Sequence, residues 1–114
     1  MFNNLITKKC KPCEGGTPPL SREQVKELLQ QIPDWKVDDE NTTIMRSWEF
    51  KRFKESIVFV NMVAKLVEEE KHHPNIHIHN YNYVSITLST FAIDGLSEND
   101  FIIAAKIDQL FEAE

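Results

Sequence analysis

The chain is poor in glycine and cysteine. Three glycines and two cysteines in 114 residues exclude a collagen-like fibre and a disulfide scaffold. No apolar run approaches the ~20 residues that a membrane helix needs. The opening MFNNLITKKCKPC also lacks the apolar stretch of a secretory signal. A cytoplasmic location is therefore expected, with no membrane partner. Positive charge is in deficit, with 13 Lys and Arg against 18 Asp and Glu and a net charge of −5. Duplex binding rests on clustered Lys and Arg, so nucleic acid is not an expected partner. A small neutral or weakly charged ligand, or a protein, fits better. What is present is ordinary for a globular domain: 41% hydrophobic and 27% charged residues. The length allows a core without metal or disulfide staples.

Residues 1–20 differ from the rest. They hold Cys10 and Cys13, Pro12, Pro18 and Pro19, and Gly15 and Gly16. They read as an irregular arm, and residues 21–114 as a single folded domain. Ser21 and Gln24 form a capping box opening a helix whose stripe is Val25, Leu28, Leu29 and Ile32. Pro33 ends it. The segment from Trp35 to Phe50 predicts a hairpin turning at Asp38–Asn41, with Ile44, Arg46, Trp48 and Phe50 on one face and Met45, Ser47 and Glu49 on the other. A long helix follows from Phe53 to about Lys71. Its apolar face is wide enough to be covered on more than one side, and Pro74 requires it to stop near His72 or His73.

Ile76 and Ile78 alternating with His77 and His79 predict a third strand. Val84, Ile86 and Leu88 predict a fourth, with Asn80, Tyr81 and Asn82 as the turn between them. Asp94-Gly95 is a further turn, and Ser97 with Asp100 caps a last amphipathic helix. The order α-β-β-α-β-β-α implies an α+β fold, one four-stranded antiparallel sheet with helices packed on one face. Such a sheet has two edges, and pairing one with a second copy would hide it.

All four histidines fall between positions 72 and 79. Imidazole donates and accepts protons near neutral pH, so His72-His73-Pro74 at a helix end is a candidate acid–base site. The blander alternative has His72 capping the helix C-terminus and His77 and His79 on the solvent face of a strand. Zinc would accept Cys10, Cys13, His77 and His79, but their spacing fits no finger pattern and a lone CxxC is a weak signal. The expected metal is none. Glu68, Glu69 and Glu70 read as a solvated face, although one of them could orient a nearby histidine.

At His72-His73-Pro74 the sequence resembles the pterin-4a-carbinolamine dehydratase family, known also for a dimerisation cofactor of a homeodomain transcription factor. The resemblance runs from about residue 21 to 111. It rests on HHP, an acidic residue four positions earlier (Glu68), a following aromatic (Tyr81), the segments ITLST and GLSENDF, and an aspartate (Asp100). The arm CKPCEGG looks like that of bacterial members. One position departs from the pattern: the family histidine of LSTH is here Phe91. The resemblance implies dehydration of 4a-hydroxytetrahydropterin with His72 and His73 as the acid–base pair. Pro74, Ser89, Thr90, Phe91 and Ala92 would contact the substrate, and Glu68 and Asp100 would support the histidines. It implies no cofactor, because the hydroxyl leaves from the pterin itself, and a homodimer or homotetramer. The alternative is a catalytically weak or inactive pterin-binding or dimerisation protein, because a phenyl ring moves no proton.

Overall fold

The computed structural model of the protein describes residues 5–11 and 18–112. Helix α1 spans Arg22–Leu29, and its start is the expected capping box: the Ser21 hydroxyl accepts from Gln24 N–H, and the Gln24 side chain accepts from Ser21 N–H. The helix stops short of Pro33. Gln30, Gln31 and Ile32 each donate to the carbonyl three residues back, so the last turn tightens before the proline arrives.

The sheet consists of β1 (Lys36–Val37), β2 (Ile44–Glu49), β3 (Asn75–His79) and β4 (Tyr83–Leu88), all antiparallel in the order β1-β2-β4-β3. β2 and β4 form its centre, with Ile44 opposite Leu88 and Trp48 opposite Val84. Alternation sorts the faces as the pattern predicts. Ile44, Trp48, Val84, Ile86 and Leu88 are buried, whereas Met45, Ser47, Glu49, His77 and His79 are exposed. The three-residue connection between β3 and β4 places Asn80 and Tyr81 at positive φ. Asparagine tolerates that region; a tyrosine does so at some cost.

Helices α2 (Phe53–Glu70) and α3 (Glu98–Glu112) supply the rest of the core. Trp48, Phe59 and Phe111 pack with ring centroids 5.0–6.2 Å apart. Over them Arg46 lies between the Trp48 and Phe111 rings and pairs with Asp108 at 2.6 Å. Asp108 also accepts from Trp35 Nε1, so one carboxylate fastens α3 to β2 and to the segment before β1. Burial pushes that carboxyl above its usual range, against the Trp35 bond and the Arg46 charge.

Two stretches differ from the reading of the sequence. In α2 the deeply buried positions are Ser56, Phe59, Val63 and Val67. Phe53, Val58 and Ala64 are exposed, because the helix carries more apolar surface than one chain covers. The arm is not wholly irregular: Leu5–Thr7 forms a 3₁₀ turn with Leu5 buried in the core. At the turn after β4 it is Asp94, not Gly95, that takes the left-handed conformation. Gly95 answers a different need. A Cβ there would stand 2.6 Å from Cβ of Pro19, where the following residue, Leu20, donates to the Leu96 carbonyl at 2.8 Å.

Candidate active site

Four pieces of chain converge beside one cleft of about 590 Å³: the end of α2 with the residues after it, the segment Ser89–Ala92 beyond β4, the first turn of α3, and arm residues Lys9–Lys11. Its size suits a small-molecule ligand. α2 ends at Lys71, which has φ 58° and donates its N–H to Val67 O. The His72 N–H reaches the same carbonyl at 3.3 Å. That reversal throws His72 and His73 out of the helix and into the wall of the cleft.

The residue that organises this wall is Asp100, with 0% of its surface exposed. It sits in the first turn of α3, where the helix dipole favours a carboxylate. Oδ2 accepts from the Ser97 backbone N–H at 3.0 Å and from the Thr90 hydroxyl at 2.8 Å. Oδ1 lies 2.6 Å from His72 Nε2. A carboxylate accepts only, so His72 Nε2 carries the proton. Thr90 gives its hydrogen to Asp100, so the Ser97 hydroxyl must donate to Thr90, 2.6 Å away. This chain of bonds fixes the tautomer and plane of a ring whose side chain is only 13% exposed. Among the described residues, Nδ1 of His72 has no protein partner.

His73 is the more open of the pair. Its Nε2 meets Glu68, but both side chains are more than half exposed, so the contact orients the ring rather than adding stability. Ser89, Thr90, Phe91 and Ala92 line the cleft, and Phe91 is 92% exposed at its mouth. Pro74 is not among the lining residues; it borders the start of β3. Tyr81 lies in the β3–β4 turn, and His77 and His79 line a separate depression on the open sheet face. There His79 bonds Ser85 and stacks on Tyr83.

Cys13 lies outside the described residues. Cys10 is on the cleft, away from His77 and His79. Burial, reinforced by the charge of Glu70, pushes its thiol up to about 12, so at neutral pH it is not a thiolate, the form a metal binds. No group of three or more His, Cys, Asp or Glu among the described residues is arranged to hold a metal ion.

The sequence does not show what the arm and Glu70 bind. Instead of a solvated acid, Glu70 is a buried latch. It accepts from the Cys10 N–H at 2.9 Å and from Lys106 Nζ at 2.6 Å, with side-chain exposures of 8% and 14% for Glu70 and Lys106. Buried Asn99 completes the clasp by exchanging two bonds with the Lys11 backbone. No local pattern announces these contacts, because the partners lie 36 to 88 residues apart.

Burial alone would raise the Glu70 carboxyl, but the Cys10 N–H and Lys106 outweigh it and hold it below its ordinary 4.5. A lowered folded value means stability that is complete above the unfolded value and lost as the pH falls through the folded one. Glu70→Gln is therefore expected to lower unfolding free energy by about 2–4 kcal/mol at neutral pH, leaving Lys106 unpaired. Its deficit relative to the natural protein should narrow in acid below 4.5. Urea unfolding at both pH values measures this, and an equal deficit at each would contradict it.

Comparison with known proteins agrees with this architecture. Residues 18–110 match the family described as pterin 4 alpha carbinolamine dehydratase. A Rubrobacter xylanophilus protein provisionally named as such a dehydratase is 45% identical over 109 residues, covering 96% of this chain and 100% of its own. Among solved structures, a transcriptional coactivator/pterin dehydratase from Brucella melitensis superposes with a TM-score of 0.75 at 30% identity, over 81% of this chain and 97% of that one. A pterin dehydratase-like protein identified as a RuBisCO assembly factor in the alpha-carboxysome gives 0.58 at 28% identity, over 68% and 88%. This chain belongs to the pterin-4a-carbinolamine dehydratase family.

Proposed function

We propose that the protein dehydrates 4a-hydroxytetrahydropterin to the quinonoid dihydropterin and water, in recycling of a tetrahydrobiopterin-type cofactor, with His72 and His73 as its acid–base pair. The observation that carries this reading is the buried His72–Asp100 pair on the wall of a ligand-sized cleft.

The chemistry asks for two proton movements. The hydroxyl leaves the 4a carbon with its bonding electrons and takes up a proton, becoming water. N5 gives up its proton, and the freed electron pair closes the new C=N bond. No electrons are gained or lost overall, so two placed proton carriers suffice.

His72 suits the second of these movements. Its Nε2–H is committed to Asp100, which leaves the Nδ1 lone pair as the base for N5, and Asp100 steadies the imidazolium that results. His73, its ring oriented by the Glu68 carboxylate, supplies the proton to the departing hydroxyl. Backbone groups of Ser89 and Ala92 offer the pterin edge its hydrogen bonds, while the Thr90 backbone is already bonded to Ile93 and Gly95 and only lines the cleft. Phe91 provides a flat apolar wall but no proton. A Phe in place of the family's third histidine favours a modest catalyst over a fast one.

The same chain leaves the outer sheet face open and exposes Phe53 and Val58 on α2, at 52% and 43%. Both surfaces support a homodimer or homotetramer, which light scattering would read as two or four times 13.3 kDa. A monomer at micromolar concentration would contradict it.

Dehydration of freshly generated 4a-hydroxytetrahydropterin tests the site. His72→Ala and His73→Ala should each lose about 10²–10⁴-fold of the acceleration over the spontaneous reaction, as far as the natural rate allows. Phe91→His should raise the rate roughly tenfold or more with an unchanged melting temperature, since its side chain packs against little. Full activity in both alanine variants would refute the assignment.

A further inference from the structure

The lining of the cleft is basic on an acidic protein. The chain as a whole carries −5, yet Lys9, Lys11 and Lys71 all line the cleft. Two acids share that lining, Glu69 and Glu70, and the charge of Glu70 is already matched by Lys106 at 2.6 Å. The remaining balance is three ammonium groups against Glu69. Among the described residues, the side-chain ammonium groups of Lys11 and Lys71 have no hydrogen-bond or ion-pair partner.

These lysines are held where they are. Lys9 and Lys11 flank Cys10, whose N–H is bonded to Glu70. The Lys11 backbone both donates to and accepts from Asn99, which is only 6% exposed. Three bonds to buried side chains therefore fix the backbone that presents the two cations. Lys71 occupies a left-handed helix terminus at φ 58°, where glycine is the residue of least cost. Lysine there gives up some stability and places a third cation beside the histidines.

A pterin head carries no formal charge at neutral pH, so it offers these groups nothing to pair with. The complementary charge has to come from its side chain. We propose that the arm forms an anion subsite of the cleft, and that the preferred substrate is a pterin whose side chain bears a phosphate or carboxylate, read by Lys9 and Lys11 with Lys71 beside them. This rests on the pterin reading of the site. It replaces the neutral or weakly charged ligand suggested by net charge alone, because the local field at a cleft, not the overall sum, selects the ligand.

Fluorescence titration of two matched pairs tests it: dihydroneopterin against its monophosphate, and pterin against carboxypterin. The natural protein should bind the charged member of at least one pair about fivefold to tenfold more tightly at low salt, and the advantage should shrink as salt is added. The pair that shows it identifies the anion. Lys9→Ala/Lys11→Ala should lose most of that advantage. Lys71→Gly, which keeps the backbone conformation, should lose part of it. Lys8→Ala is the control: it removes a charge from the same arm that pairs with Glu98 and does not line the cleft, so it should leave the advantage intact. Equal affinity within both pairs, or an advantage that survives the double variant, would overturn the subsite while leaving the pterin site standing. Failure of all four compounds to bind folded protein would overturn both.

Discussion

Everything at the site depends on one buried carboxylate. Asp100 is fully enclosed, and that is tolerable only because three donors from three parts of the chain converge on it: a backbone N–H at the start of its own helix, the Thr90 hydroxyl beyond β4, and the His72 ring beyond α2. Each bond does structural and chemical work at once. The carboxylate stitches α2, β4 and α3 together where they meet, and in doing so dictates which nitrogen of His72 keeps its proton. Removing any one donor would leave a buried charge short of a partner.

A second constraint sits behind the first. Glu70, two residues before His72, faces the arm rather than the solvent and is joined there by Lys106 from α3. The wall of the cleft is thus built from long-range contacts on both sides of the histidine pair. The left-handed Lys71 is the hinge between them, the point at which α2 hands the chain from the arm latch to the Asp100 network. The strain of a lysine at that terminus is offset by what the turn positions on each side.

The fold was largely legible in the sequence because its signals are local. The Ser21–Gln24 capping box, the alternation of Ile44 through Glu49 and of Val84 through Leu88, and the stop imposed by Pro74 each depend on neighbours in the chain, and each has its counterpart in the structure. The site was legible only in part. His72, His73, Ser89, Thr90, Phe91 and Ala92 do meet at one cleft. That Asp100 binds His72 rests on contact across 28 residues, which a family resemblance could suggest but no periodicity could. Glu70 was misread as solvated for the same reason. Pattern reports which face a residue takes, but not which distant partner waits there. The exposed stripe on α2 is a different case: its apolar width was visible, and the surface it lacks in one chain is what a second copy would supply.

The most direct test of the account is steady-state dehydration of 4a-hydroxytetrahydropterin by the natural protein and by Asp100→Asn, both shown to be folded. The substitution keeps the shape of the side chain but puts an NH₂ group, a donor, in place of one acceptor oxygen in a set of three bonds that all need an acceptor. The account predicts acceleration by the natural protein, and a fall in kcat of about tenfold or more with KM little changed in the variant, because the base loses its orientation while the cleft is kept. No acceleration above the spontaneous rate by the natural protein, or a variant with undiminished kcat, would contradict it.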